Sequence, residues 1–204
     1  MSIRLEERSP LTYREACIPV LETERLVLRA PQLEDVKAIA ALANDRRIAE
    51  NTRRIPHPYT ISDAEHFVSG LHASPDEMAM LVTLQDGTVI GCCGLNIVDG
   101  PVPELGYWLG QRYWDQGYAT EAVRALIDHA FGDLGHEALH AGARVTNPGS
   151  RRILEKCGFQ WTGVGLGRRA RAHPRDFEFR ADRPVPARSR PVGLAEKLAG
   201  GAPG

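Results

Sequence analysis

A chain of 204 residues with 43% hydrophobic and 25% charged side chains and a formal net charge of −1 has the make-up of an ordinary globular domain. A chain of this size buries roughly 70% of its unfolded surface, which excludes a disordered chain, a collagen-like repeat and a disulfide-stapled mini-protein. With 25 basic against 26 acidic residues, no global field draws the molecule onto nucleic acid or an anionic membrane, so any anionic ligand must be held locally. Cys17, Cys92, Cys93 and Cys157 show no C-x-x-C spacing, which argues against a disulfide framework and a zinc site. The N-terminal residues carry acids and no apolar signal core, and no window approaches the roughly 18 apolar residues of a membrane span. The expected location is the cytoplasm.

Residues 1–20 have no clean period and are read as an N-terminal extension, with the domain over 21–182. Glu24 to Arg29 alternates polar and apolar as a half-buried strand does. Leu33, Val36, Ile39, Ala40 and Ala43 fall at helical spacing, with Glu34 and Asp35 placed where a helix dipole favours acids. Residues 44–59 read as a loop, because Pro56 and Pro58 forbid a regular helix near them. Ser62-Asp63-Ala64-Glu65 reads as a capping box before a second helix carrying Phe67, Val68 and Leu71. Met78–Leu84 and Val89–Val98 then read as strands joined by Asp86-Gly87, followed by a strand over Glu104–Leu109. The apolar stripe from Ala119 to Leu134 predicts the longest helix. A strand over Ala138–Val145, a helix over Ser150–Cys157 closed by Gly158, a strand over Phe159–Val164 and a short one at Phe177-Glu178-Phe179 complete the pattern. Residues 183–204, with four prolines and four glycines, read as a flexible tail. The order is that of an α+β protein with an antiparallel front half.

The most informative stretch runs from Glu104 to Ala122: a strand, a glycine-bearing turn and a long helix. Unpaired N–H groups at such a helix start, with a glycine that permits close approach, form a cradle for phosphate or pyrophosphate. Neither a Walker loop nor a dinucleotide fingerprint is present. Read as bare physics, the same turn can equally be structural. Two other features are weaker. Gly163 to Gly167 reads as a flexible turn, and the arginines at 168, 169, 171 and 175 read as a solvated cluster able to attract an anion.

Three segments in this order and spacing resemble the GNAT N-acetyltransferases, and within them the branch that includes the ribosomal-protein-alanine acetyltransferases. They are Thr23 to Arg29, Glu104-Leu105-Gly106-Tyr107-Trp108-Leu109 leading into Trp114-Asp115-Gln116-Gly117-Tyr118-Ala119-Thr120, and Asn147-Pro148-Gly149-Ser150 running through to Cys157-Gly158-Phe159. The resemblance covers roughly residues 20–165. It implies a three-layer fold with a central mixed sheet of about six to seven strands, helices on both faces, and two splayed parallel strands, Glu104–Leu109 and Ala138–Val145, at the cofactor cleft. It implies acetyl-CoA as cosubstrate, no metal, and an amine acceptor that is a protein N-terminus or a small molecule. Nucleic acid and membrane are not expected as partners, and a homodimer is allowed.

Carried over residue by residue, the family's pyrophosphate loop falls on Trp114 to Ala119, with Gly117 and Ala119 matching and Trp114 replacing the polar first residue. Asp115 departs from the pattern by placing a carboxylate beside a polyanion, unless it turns outward or caps the helix. Tyr107, Trp108 and Leu109 of the strand, with Trp114, Gln116, Gly117, Tyr118, Ala119, Thr120, Asn147, Ser150 and Arg151, are the implied cofactor contacts. Arg152 is a further candidate partner for the phosphates. Glu104 is the candidate base for the amine, acting directly or through water. Many family members carry a tyrosine acid four residues before the Gly-Phe pair. Here that position is Leu154, and Ser150, one turn earlier, is the candidate proton donor or a helix cap. His57 and Tyr59 are candidate substrate contacts. The expected activity is direct acetyl transfer to a primary amine in a ternary complex. The alternative is a non-catalytic CoA-binding or regulatory module on the same scaffold, and a longer acyl donor such as succinyl-CoA is a weaker variant.

Overall fold

The computed structural model describes residues 18–71, 74–97, 101–164 and 176–184. Most of the expected N-terminal extension, most of the expected tail, and the arginine cluster at 168–175 therefore lie outside the described residues.

Eight strands form one sheet in the order β1-β2-β3-β4-β5-β6-β8-β7. They are β1 (Leu21–Glu22), β2 (Leu26–Arg29), β3 (Glu77–Leu84), β4 (Val89–Asn96), β5 (Glu104–Leu109), β6 (Ala138–Arg144), β7 (Gln160–Val164) and β8 (Asp176–Asp182). The two-residue β1, paired with β2, takes the sheet past the expected six to seven strands, because so short a segment has no period to read. All neighbours are antiparallel except β5 and β6. The β3–β4 connection is the expected Asp-Gly turn. Gly87 sits at φ +85°, its N–H reaches Leu84 O, and Asp86 Oδ1 accepts from Thr88 N–H.

Helices cover both faces. On one side α1 (Val36–Ala43) and α3 (Ile61–Leu71) pack Val36, Ile39, Ala64 and Val68 against Ala79, Leu81 and Cys92. On the other, α4 (Tyr118–Gly132) lays Val123, Leu126 and Ala130 on Leu26, Met80, Cys93 and Leu105, and α5 (Pro148–Lys156) adds Leu154. Cys92 and Cys93 thus enter opposite cores, as strand alternation requires. Met78 to Thr83 are buried without a break because both faces of β3 are covered.

Three local expectations are corrected. The segment 44–59 holds a short helix, α2 (Arg46–Asn51), started by Asp45, whose Oδ1 accepts from Arg47 N–H; the prolines act only after it. The second predicted helix is capped two residues earlier than Ser62. Thr60 Oγ1 accepts from Asp63 N–H at 3.2 Å while Asp63 Oδ2 accepts from Thr60 N–H at 2.7 Å, so the reciprocal box is Thr60–Asp63. Leu33 lies in a 3-10 turn over Leu33–Asp35, whose tighter winding turns it to solvent, where it is 67% exposed.

That turn is fixed by Asp35, which is 8% exposed and accepts from both terminal nitrogens of Arg29 at 2.8 Å. The Arg29 guanidinium holds the Asp35 carboxyl below its usual range, against the opposing effect of burial. Asp35→Ala strands a shielded cation and is expected to destabilise the fold by about 2 kcal/mol at neutral pH. Because the folded-state value is depressed, the loss is present above about pH 4 and vanishes as pH falls through it. Urea unfolding of both proteins at pH 7 and pH 3 checks this.

Candidate active site

β5 and β6 are joined only at their start, through Glu104 with His140 and Leu105 with Ala141, and then diverge. Beyond that point the edge of β5 facing β6 has no strand to receive it. The bond from Gly110 N–H to Ile90 O sets the phase of β5: residues 106, 108 and 110 turn their N–H groups to β4, and Tyr107 and Leu109 turn theirs toward the gap. A cleft of about 1370 Å³ opens there, lined by β5, the loop after it, α5 and the segment between α2 and α3.

Strand alternation sorts the side chains of β5 onto its two faces. Leu105, Tyr107 and Leu109 belong to the α4 and α5 side, and Trp108 to the α1 and α3 side. Glu104 and Gly106 share the face of Trp108. On that face Glu104 is paired with Arg53, and the neighbouring Arg54 is clamped by both oxygens of Glu77 at 2.7 and 2.8 Å. Tyr59 lines the same wall, 9% exposed, and burial pushes its hydroxyl up to about 12. On the opposite face the Tyr107 hydroxyl lies 2.9 Å from Ser150 Oγ and 3.3 Å from Ser150 O. Burial raises Tyr107 to about 12, with the Ser150 contact opposing, so its proton stays in place at neutral pH. A tyrosine donates one proton; directed at Ser150, it leaves the serine hydroxyl hydrogen available to the cleft.

Ser150 does not cap α5. The cap is Asn147, whose Oδ1 accepts from Ser150 N–H at 3.0 Å, and Pro148 occupies the first turn. Asn147 therefore has its amide N–H groups to offer a ligand. Leu154 is fully buried in the core, so α5 presents Ser150 to the cleft and a packing residue where the family's tyrosine would stand.

The loop between β5 and α4 is built for close approach. Trp114 donates its indole N–H to Leu109 O at 2.7 Å, tying the loop back to the strand end. Asp115 and Gly117 both have left-handed backbone, with φ of +59° and +83°. Gly117 is the residue that caps α4; Asp115 is exposed on the cleft rim and caps nothing. Behind the loop, Arg25 donates to Gln116 O at 3.0 Å, lies over the Tyr118 ring and pairs with Glu121 at 2.6 Å. Burial raises Glu121, but hydrogen bonds from Thr23, Arg25 N–H and the Arg25 guanidinium outweigh it and lower its pKa. The result is a helix start braced from behind by the Arg25–Glu121 ion pair. The first-turn N–H groups of the 15-residue α4 and a glycine-permitted approach fit the phosphates of a CoA-type ligand.

Among the residues singled out from sequence, Glu104, Tyr107, Trp108, Leu109, Trp114, Gly117, Ala119, Thr120, Asn147, Ser150 and Tyr59 line the cleft. Four do not. The Gln116 side chain folds back onto Arg112 O, Tyr118 is stacked under Arg25, Arg151 pairs with Glu155 and lies over Phe177, and His57 is exposed in the loop before Pro58. Arg152 and Lys156, on the other stripe of α5, line the cleft instead of Arg151. Sequence reading missed Arg25 and Arg53. Arg25 stands in a quoted family segment, but its reach to residue 121 is a tertiary contact. Among the described residues no cluster suited to a metal is found, and no helix is long and apolar enough to cross a membrane.

A model of the acetyltransferase (GNAT) domain matches residues 25–160. An uncharacterized N-acetyltransferase p20 of Bacillus licheniformis is 31% identical over 151 residues, covering 71% of this chain and 84% of that protein. An L-amino acid N-acetyltransferase of Escherichia coli is 24% identical over 144 residues, 69% of this chain and 86% of that one. The Mycobacterium smegmatis RimJ structure, in complex with CoA-disulfide, superposes with a TM-score of 0.68 at 19% identity, over 81% of this chain and 86% of that one, a likeness of fold.

Gly117→Ala places a Cβ in a left-handed conformation, 3.3 Å from Arg25 Nη2, and is expected to cost about 1 kcal/mol. Gly106→Ala adds a methyl to open space at an ordinary φ and is expected to change stability by less than about 0.5 kcal/mol. Thermal unfolding of the two variants makes the comparison. The divergent β5–β6 pair, the glycine-started α4 and the match over 25–160 together place this chain in the GNAT acetyltransferase family, as an acyl-transferring enzyme.

Proposed function

We propose that the chain transfers the acetyl group of acetyl-CoA to a primary amine by direct attack in a ternary complex. The single observation that carries this reading is the placement of Glu104 and of the Tyr107–Ser150 pair on opposite faces of β5, beside the gap it forms with β6.

Acetyl-CoA supplies an activated acyl carbon on a thiol leaving group. The first-turn N–H groups of α4 would hold its phosphates, and the amide of Asn147 would hold its arm. The Tyr107 N–H, turned into the gap, would donate to the carbonyl oxygen as negative charge develops there. Glu104 receives the ammonium proton of the acceptor, directly or through water, freeing the nitrogen lone pair to form the C–N bond. After the C–N bond forms the nitrogen carries one proton too many; as the C–S bond breaks, Ser150 donates its hydroxyl proton to the departing sulfur and is restored, through the Tyr107 hydrogen bond, by that second nitrogen proton, while Glu104 releases the first to water. The products are an acetamide and a free thiol, with no covalent enzyme intermediate. The acceptor class, protein N-terminus or small amine, is set by the wall that carries Arg53, Arg54, Glu77 and Tyr59. Membership of the ribosomal-protein branch is supported by the quoted motifs and by the RimJ-like fold.

Calorimetric titration is expected to give saturable one-site binding of acetyl-CoA and none of NADH. Glu104→Gln is expected to lower kcat/KM for an accepted amine by about 100-fold, and Ser150→Ala and Tyr107→Phe by about 10-fold each, with acetyl-CoA binding retained in Glu104→Gln. Full activity in both Glu104→Gln and Ser150→Ala would remove these roles. Binding without transfer to any amine would favour the non-catalytic module.

A further inference from the structure

The side-chain pattern of the sheet cuts a trench into the floor of the cleft. On the face that carries Glu104 and Trp108, the registers of β3, β4 and β5 set three rows across the strands: Glu77, Asn96 and Glu104; Ala79, Gly94 and Gly106; Leu81, Cys92 and Trp108. The middle row holds nothing larger than a methyl group, between a polar row and an apolar one. At Gly94 a Cβ would stand 2.3 Å from Met78 O, so a side chain there would displace β3. At Gly106, exposed in mid-strand, a Cβ would meet nothing within 4 Å. Gly142, one residue past the paired Ala141 of β6, continues the row across the gap, with Arg53 Nη2 2.7 Å from where its Cβ would stand. Two strand spacings, about 10 Å, separate β5 at the gap from the Ala79 end. Tyr59, Phe67 and Ile55 stand over that end; they pack in one apolar cluster with Ala79 and Cys92 and line the cleft.

Tyr59 is an independent mark of a ligand. It is nine-tenths buried, its backbone N–H donates to Asn44 Oδ1, and its hydroxyl has no hydrogen-bond partner among the described residues. Buried hydroxyls in folded proteins are nearly always bonded. Burial holds the proton on this one at neutral pH, so it faces the cleft as a donor in want of an acceptor.

We infer that the acceptor is a small primary amine joined by a short chain to an aromatic group, that this group lies in the trench over Gly106 and Gly94, and that a polar atom at its far end accepts from the Tyr59 hydroxyl. This deepens the acetyl-transfer reading of the same site and rests on it. The amine would stay at the gap end, where Glu104 closes the polar row. A flat ring can lie directly on the backbone of Gly94 and Gly106 because no Cβ stands in its way. Its edge would meet Cys92 and Trp108, and its burial would remove apolar area from water. The middle row offers no side-chain donor or acceptor, so a polyamine or a sugar amine would leave its polar groups unmatched there. The length of the trench suits an arylalkylamine, and its single free donor sits where the tip of such a molecule would end.

The test is steady-state kinetics with acetyl-CoA and a matched series of ethylamine, phenethylamine and tyramine. Wild type, Gly106→Val, Gly106→Ala and Tyr59→Phe are compared, with melting temperatures as a check on folding. Wild type is expected to favour phenethylamine over ethylamine by about 100-fold in kcat/KM, and tyramine over phenethylamine by about fivefold. Gly106→Val is expected to lower the first ratio by about tenfold or more, mostly through KM, and Gly106→Ala to leave it between the two. Tyr59→Phe is expected to bring the second ratio to about one. Calorimetric titration of the same amines into the enzyme–CoA complex is expected to give the same order without turnover. Equal use of ethylamine and phenethylamine, or a first ratio unchanged in both Gly106 variants, overturns the proposal while acetyl transfer itself stands. A second ratio unchanged in Tyr59→Phe overturns the contact with Tyr59. If no amine is acetylated, the acetyl-transfer reading fails by its own kinetics, and equal or absent binding of ethylamine and phenethylamine overturns this one separately.

Discussion

The structure depends on one interrupted hydrogen-bond ladder. Two parallel strands that pair for two residues and then part leave the backbone of β5 with N–H groups that no strand receives. Unpaired backbone groups in a folded protein are costly unless water or a ligand meets them. Here they face a cleft, so the gap is the weak point of the sheet and the proposed binding surface. Stability is supplied on either side of the gap, where β3, β4 and β5 pair in long antiparallel registers and helices cover both faces. The gap can stay open because the sheet does not need it closed.

From that gap the division of labour follows by geometry. A strand alternates its side chains, so β5 sends Glu104 to the face shared with the α2–α3 segment and Tyr107 to the face shared with α5. On the mechanism proposed above, a proton acceptor and a proton donor on opposite faces of one strand act on a bond held in its plane without neutralising each other. Tyr107 and Ser150 form a contact within the donor side that neither residue type announces alone. On the acceptor side, the absence of a side chain at Gly142 makes room for Arg53.

The loop after β5 shows how a departure from a familiar pattern can be accommodated. Asp115 takes a left-handed backbone and an exposed place on the rim, while Gly117 takes the capping position and Arg25, paired with Glu121, braces the loop from behind. Trp114, where a polar residue is usual, does structural service through its indole N–H.

Local rules were enough to read the Asp86-Gly87 hairpin, the long stripe of α4 and the Gly158 stop of α5, because each depends on neighbours in sequence. They failed at the two-residue β1, too short to have a period, and at α2, hidden by prolines that act only after its end. The motif spacing identified the family and the cleft-lining residues Glu104, Gly117, Asn147 and Ser150, because a strand, a turn and a helix start are local objects. It could not choose between Arg151 and Arg152, since a helix stripe gains a direction only when the helix is docked. It also could not find Arg25 on Glu121 or Arg53 on Glu104. Those pairs join residues far apart in the chain, and such a meeting exists only once the sheet has brought the elements together. The chemistry available at this site is written in the sequence; which charges face each other across it is decided by the tertiary fold.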